Sequence, residues 1–179
     1  GSEGEMCGNG IRCVAKYAFD HGLVDRTEIT IETGAGILPL TMYPNQHEHI
    51  DKVRVNMGAP RLTRGDLPMV GVAHEQVINM DLEILDRTFQ ITCVSMGNPH
   101  CVIFVDDVAN FPVKRYGYAI ENHALFPRRI NVEFVEIISP NEVRQRTWER
   151  GAGETLACGT GSSAVTVAGV LTGRTEGKL

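Results

Sequence analysis

Apolar and polar positions alternate with a period of two along much of the chain. Residues 27–33 place Ile29 and Ile31 on one face, and residues 52–57 do the same with Val53, Val55 and Met57. This is the pattern of half-buried antiparallel strands. Further strands are predicted at 37–43, 75–81, 88–95, 100–105, 131–138 and 142–148. Helical segments are fewer. One is predicted over 116–123, between Pro112 and Pro127, and two longer ones follow Cys7 and Cys158. Gly22 and Gly173 each lie fifteen residues beyond those cysteines, and a glycine there serves as the C-terminal cap of a helix of about three to four turns. Many strands broken by Gly, Pro and Asn turns, with few helical crossovers, predict an α+β chain built on mostly antiparallel sheet rather than a doubly wound fold. The polar stretch 44–51 is the best candidate for a boundary, dividing a first lobe, 1–51, from a second, 52–179.

The two helix starts are near-copies of each other. Cys7-Gly8-Asn9-Gly10 matches Cys158-Gly159-Thr160-Gly161, and Val14 and Val165 both lie seven residues beyond their cysteine. The free N–H groups and positive dipole end of a helix start stabilise an anion, so a thiol there is expected to have its pKa drawn from about 8.5 toward neutrality. The glycines allow close approach of a ligand, and the same N–H groups can hold a carboxylate. A carboxylate held at two such starts would have one proton-transferring thiol on each face of its α-carbon, the geometry that stereochemical inversion requires.

Composition narrows the partners. With 179 residues, 42% apolar and 22% charged, the chain can bury a core as one domain or two small ones. A net charge of -5 offers no basic face for nucleic acid. Apolar runs such as Cys101-Val102-Ile103-Phe104-Val105 are far shorter than the roughly 18 to 20 residues of a membrane helix, and no secretory signal heads the chain. Five cysteines without framework spacing fit reduced thiols in a cytoplasm. No Cys/His set has zinc spacing, His47-Glu48-His49 lies in a polar loop, and there is no GxxxxGK[ST] phosphate loop. Neither a metal nor a nucleotide is expected.

Four separate segments carry a family resemblance. Glu5-Met6-Cys7-Gly8-Asn9-Gly10 with Arg12-Cys13, then Met96-Gly97-Asn98-Pro99-His100, then Asn131-Val132-Glu133-Phe134, and finally Glu149-Arg150-Gly151-Ala152-Gly153-Glu154-Thr155 running into Ala157-Cys158-Gly159-Thr160-Gly161 together resemble diaminopimelate epimerase. The related proline racemases share the two cysteines but usually carry His where Asn9 stands, and they precede the second cysteine differently. The resemblance implies a cofactor-independent cytoplasmic isomerase that interconverts LL- and meso-diaminopimelate, on the route to lysine and bacterial cell wall. It implies two pseudo-symmetric lobes, each a β-barrel-like sheet around a central helix, and suggests a homodimer. By the same analogy Cys7 and Cys158 exchange the α-proton. Gly8, Asn9, Gly159 and Thr160 hold the reacting carboxylate, and Asn98, Asn131 and Arg150 read the distal end. Glu149 meets the reacting ammonium and His100 supports the thiol chemistry. The family's chains begin well before the first cysteine motif and continue beyond the position of Leu179, so this chain alone is expected to be weakly active or inactive.

Blander readings compete at each position. Cys13, Cys93 and Cys101 read as buried core cysteines. Asn98 before Pro99 can be a turn residue, His100 a hydrogen-bonded structural histidine, and Asn131 a polar strand start. Arg144 and Arg146 read as a solvated strand face. Glu149 and Arg150 are adjacent, so both reach one ligand only if the strand ends there, which Gly151 makes feasible. A proline or hydroxyproline racemase, a dithiol redox protein and an amino-acid-binding domain without turnover are the competing functions.

Overall fold

The computed structural model describes residues 7–34 and 36–177. The chain divides into two compact units, Gly1–Ala59 and Pro60–Leu179. The first unit opens with helix α1 (Gly8–Asp20), followed by strands β1 (Glu28–Thr33), β2 (Gly36–Pro44) and β3 (Ile50–Val55) in an antiparallel sheet of order β1-β2-β3. Alternation places Leu38, Leu40 and Met42 of β2 inside, in one apolar cluster with Ile11 and Ala15 of α1. The polar stretch 44–51, expected to be a lobe boundary, is the β2–β3 turn. The side chain of Asn45 accepts from the backbone N–H groups of His47 (2.9 Å) and His49 (3.2 Å), the local bonding by which Asn makes turns.

The second unit carries strands β4 (Met80–Ile84), β5 (Arg87–Ser95), β6 (Pro99–Phe104), β7 (Asn131–Ser139), β8 (Glu142–Glu149) and β9 (Gly153–Thr155), paired in sequence order. All neighbours are antiparallel except β6 and β7, which run parallel. The connection between those two carries helix α2 (Val113–Glu121), as a parallel crossover requires. Helix α3 (Gly159–Leu171) follows β9. Strands β5 to β7 are buried on both faces. Cys93, Ile103, Val132 and Phe134 join Tyr116 and Ile120 of α2 in one core, while the alternate residues, His100 and Glu133 among them, face the other way, where α3 packs on β5, β6 and β7. The class is therefore α+β, with mostly antiparallel sheets and a helix opening on a cysteine in each unit. Among the described residues no helix is long and apolar enough to cross a membrane.

Two elements depart from expectation. The strand expected at 75–81 starts only at Met80 and runs on to Ile84, because Asn79 adopts a left-handed backbone (φ 50) that ends any extended run through it. Strand β9 was not expected, since three residues are too few to show a period. The glycine signals were sound: α1 ends at Asp20 and α3 at Leu171, and Gly22 (φ 66) and Gly173 (φ 67) supply the positive φ that closes each.

Helix α2 sits close to β8 because Gly117 lacks a side chain. A Cβ there would lie 2.6 Å from Cγ of Trp148, whose indole N–H donates to Glu121 across the same contact (2.7 Å). Gly117→Ala is therefore expected to lower stability by about 1–3 kcal/mol, the usual cost of overpacking, read as a reduced urea midpoint with an unchanged slope.

Candidate active site

Both cysteines stand where their sequence repeat puts them. Cys7 caps α1 with φ -132 and ψ 101, and Cys158 caps α3 with φ -134 and ψ 111. Each sulfur accepts the N–H three residues on, Gly10 at 3.3 Å and Gly161 at 3.4 Å. The sulfur thus does at each helix what a serine or aspartate oxygen does at an ordinary N-cap. Their surroundings differ. Cys7 is exposed, and beside it the Arg12 guanidinium donates to Asn9 Oδ1 and to Gly8 O (3.1 Å). Cys158 is only 7% exposed.

Around Cys158 the sequence-predicted residues form a connected set. Its sulfur lies 3.3 Å from Thr160 Oγ1, Asn98 Nδ2 donates to that oxygen at 3.1 Å, and Asn98 Oδ1 lies 3.0 Å from His100 Nε2. The other ring nitrogen of His100 is 2.9 Å from Glu133 Oε1, and Glu133 Oε2 accepts from the Thr147 hydroxyl. Burial is the main influence on Cys158 and pushes its thiol above the ordinary value. The Thr160 hydroxyl and Gly161 N–H pull it down, and the charges of Glu133 and Glu149 push it up. This corrects the expectation of a lowered thiol: a sulfur this buried loses more hydration than one helix start returns.

Glu149 ends β8 and accepts from the Thr155 hydroxyl (2.5 Å), so it lies on the side of Cys158. Arg150 lies beyond the strand end, in a turn closed by Gly151 (φ 77). Asn131 sets that turn: its Oδ1 accepts the Arg150 N–H (2.9 Å), and its Nδ2 donates to Pro99 O (2.9 Å). The adjacent pair Glu149 and Arg150 is thus separated by the end of the strand. Glu121 supports the turn from below, accepting from Gly151 N (2.8 Å) and the Trp148 indole. Cys7, Gly8 and Asn9 belong to the first unit. Gly159, Thr160, Asn98, His100, Asn131, Glu149 and Arg150 belong to the second.

Glu133, Thr147 and Glu121 were not singled out as site residues. An acid inside the apolar run Val132-Glu133-Phe134-Val135 is itself a signal, since an acid buried in a strand needs a partner. Cys93 and Cys101 are buried opposite each other on β5 and β6, and hydrogen bonding between them, with burial, holds the Cys101 thiol well above its ordinary value. They are core cysteines. Cys13, expected to be buried, is exposed. Among the described residues, His100, Glu133 and Cys158 place donor atoms within 4.8 Å of one another. Both His100 nitrogens are already engaged, so the trio is a hydrogen-bonded network rather than a set of ligands waiting for an ion.

A buried thiol thus caps a glycine-rich helix start at the end of a polar network. The fold agrees with that of two solved proteins. A probable proline racemase from Agrobacterium radiobacter K84 superposes with TM-score 0.73 over 96% of this chain and 54% of its own, at 18% identity. A hydroxyproline epimerase from Agrobacterium vitis does so with TM-score 0.62 over 98% and 53%, at 19% identity. Identities this low speak for the fold alone. Sequence goes further. The family model described as diaminopimelate epimerase matches residues 1–63 and 92–179. Proteins of that name from Agathobacter rectalis and Leptospira biflexa are 54% and 53% identical over 100% and 98% of this chain. The chain belongs to the diaminopimelate epimerase family. It spans 65% and 62% of the length of those two relatives.

Thr160→Val removes the hydroxyl that pulls the Cys158 thiol down. A hydrogen bond to a charged group is worth about 1.5–3 kcal/mol, so the pH midpoint of Cys158 alkylation is expected to rise by about one unit. Peptide mass spectrometry of iodoacetamide-treated protein measures it, and an unmoved midpoint would deny the hydroxyl that part.

Proposed function

We propose that this chain carries the machinery of an epimerase that interconverts LL- and meso-diaminopimelate, a small-molecule substrate, by proton transfer between its α-carbon and two cysteine sulfurs, with no cofactor. The observation that carries the reading is the shared geometry of the two cysteines: the same extended backbone, the same place at a helix start and the same N–H to sulfur bond. The resemblance of the surrounding segments to the family supplies the substrate.

In this reading one sulfur, as thiolate, takes the α-proton, and the other, as thiol, returns one to the opposite face. The roles exchange in the reverse direction. Helix-start N–H groups at Gly8, Asn9, Gly159 and Thr160 hold the reacting carboxylate, which stabilises negative charge as it develops. Glu149 takes the ammonium group. Arg150, whose planar guanidinium suits bidentate binding, takes the distal carboxylate, and Asn131 keeps Arg150 in place through its main chain. Asn98 and His100 orient Thr160 toward the Cys158 sulfur. Burial favours protonated Cys158, which suits it to the part of thiol donor until substrate displaces charge in the site. The family also suggests a cytoplasmic homodimer.

In the protein extended to the length of its relatives, conversion of LL- to meso-diaminopimelate, followed by chiral chromatography, is expected to vanish in both Cys7→Ala and Cys158→Ala. Arg150→Ala is expected to raise KM by roughly tenfold to a hundredfold, the worth of a charge-assisted contact, while leaving the alkylation rate of Cys158 unchanged. Full conversion by either cysteine variant would overturn the two-thiol reading, and an unchanged KM would remove Arg150 from it.

A further inference from the structure

The buried carboxylate of Glu133 has no part in the reaction as described so far, yet it ends a continuous chain that reaches the Cys158 sulfur. The chain runs from Glu133 through His100, Asn98 and Thr160 to Cys158, with separations of 2.9, 3.0, 3.1 and 3.3 Å. Glu133 and His100 are fully buried. As Asn98 stands, its Oδ1 can only accept, so His100 Nε2 carries a proton. Thr160 Oγ1 receives the Asn98 amide proton, which leaves its own hydroxyl proton available to the sulfur, while its second lone pair can take an S–H. A proton on the Glu133–His100 pair is therefore compatible with an acceptor, a thiolate, at Cys158. Without that proton the pair keeps one net negative charge and Nε2 becomes an acceptor. Asn98 then has to turn over, its amide donating to His100 and its oxygen taking the Thr160 hydroxyl, and the Cys158 S–H donates to Thr160.

We propose that Glu133 is a positioning residue for Cys158: with His100 it holds one proton whose presence permits the thiolate, so that Glu133, His100 and Cys158 carry a single negative charge between them. This rests on the reading of Cys158 as a proton-transferring group and deepens it. The physical basis is that two anions with donor atoms within 4.8 Å in a buried site each disfavour ionisation of the other. Gly161 brings the carboxylate and the helix start together, since a Cβ there would lie 2.4 Å from Glu133 Oε1. The other charged group facing the trio is Glu149 at the end of β8; the Cys101 thiol, on the opposite face of β6, is held protonated by its bond to Cys93 and by burial. Such a coupled set titrates in macroscopic steps that belong to the set.

The test is the pH profile of Cys158 alkylation by iodoacetamide, read by peptide mass spectrometry, in the unaltered protein, Glu133→Gln and Glu133→Asp. The unaltered protein is expected to show two steps, a partial one with the pair protonated and an upper one as the pair loses its proton. Glu133→Gln, which carries no charge, is expected to show one step, about one pH unit or more below that upper step. Glu133→Asp keeps the charge and both steps. Should the glutamine variant not fold, the ring nitrogen shifts of His100 serve instead, titrating in two steps in the unaltered protein and in one in Cys158→Ser. A single step in the unaltered protein that Glu133→Gln reproduces, or two His100 steps surviving in Cys158→Ser, would overturn the proposal. Neither readout uses diaminopimelate. In the protein extended to the length of its relatives, two-step alkylation without epimerisation would sink the proposed reaction alone, and epimerisation with one-step alkylation would sink the role of Glu133 alone.

Discussion

The second unit is organised around one buried carboxylate. Glu133 sits in the middle of β7 with no exposure to water, and an ionised carboxylate in that position costs several kcal/mol unless its oxygens are matched. Three features answer that demand. Thr147 on β8 and His100 on β6 bond one oxygen each, and Gly161 leaves the side of α3 open for the group to enter. Glu133 thus lies between the sheet residues that bond it and Gly161 in the first turn of α3, the helix that Cys158 caps. A mostly apolar interface between α3 and β7 would hold the helix as firmly, but it would not tie the state of the sulfur to the state of an acid.

The two helix starts show how one sequence device serves different environments. Cys7 and Cys158 have the same backbone angles within 10° and the same N–H to sulfur contact. Exposure separates them: the sulfur of α1 faces outward among Asn9 and Arg12, and that of α3 is enclosed among Glu133, Glu149 and Thr160. At Cys158 burial outweighs the helix start and holds the thiol above its ordinary value.

Much of this was legible in the sequence. A cysteine at one end and a glycine fifteen residues on bracketed both long helices because cap chemistry is local. The alternation of Ile29 with Ile31, and of Val53 with Val55, was readable because those strands have one face on a core and one outside. Asn79 defeated the strand expected at 75–81, since nothing in the alternation announces a left-handed backbone. The association of Asn98, His100, Thr160 and Cys158 came from family resemblance, but the order of their hydrogen bonds needs the register of β6 on β7, which pairs His100 with Asn131. Glu133 was visible as an acid in an apolar run and remained without a role because its partners, Thr147 and Gly161, come from segments fourteen and twenty-eight residues away. The neighbours Glu149 and Arg150 were rightly seen to need a strand end, and Gly151 provides it.

The claim that two separate thiols serve the two faces of one α-carbon is tested most directly by where deuterium first appears. LL-diaminopimelate is converted in D2O by the protein extended to the length of its relatives, and both isomers are recovered at the earliest measurable conversion for mass analysis. With one group removing the proton and a different, solvent-equilibrated group returning one, the meso product carries deuterium from the start while the remaining LL substrate stays unlabelled. Deuterium entering the LL pool as fast as it enters the product would mean that a single group serves both faces, and the two-thiol account would fall.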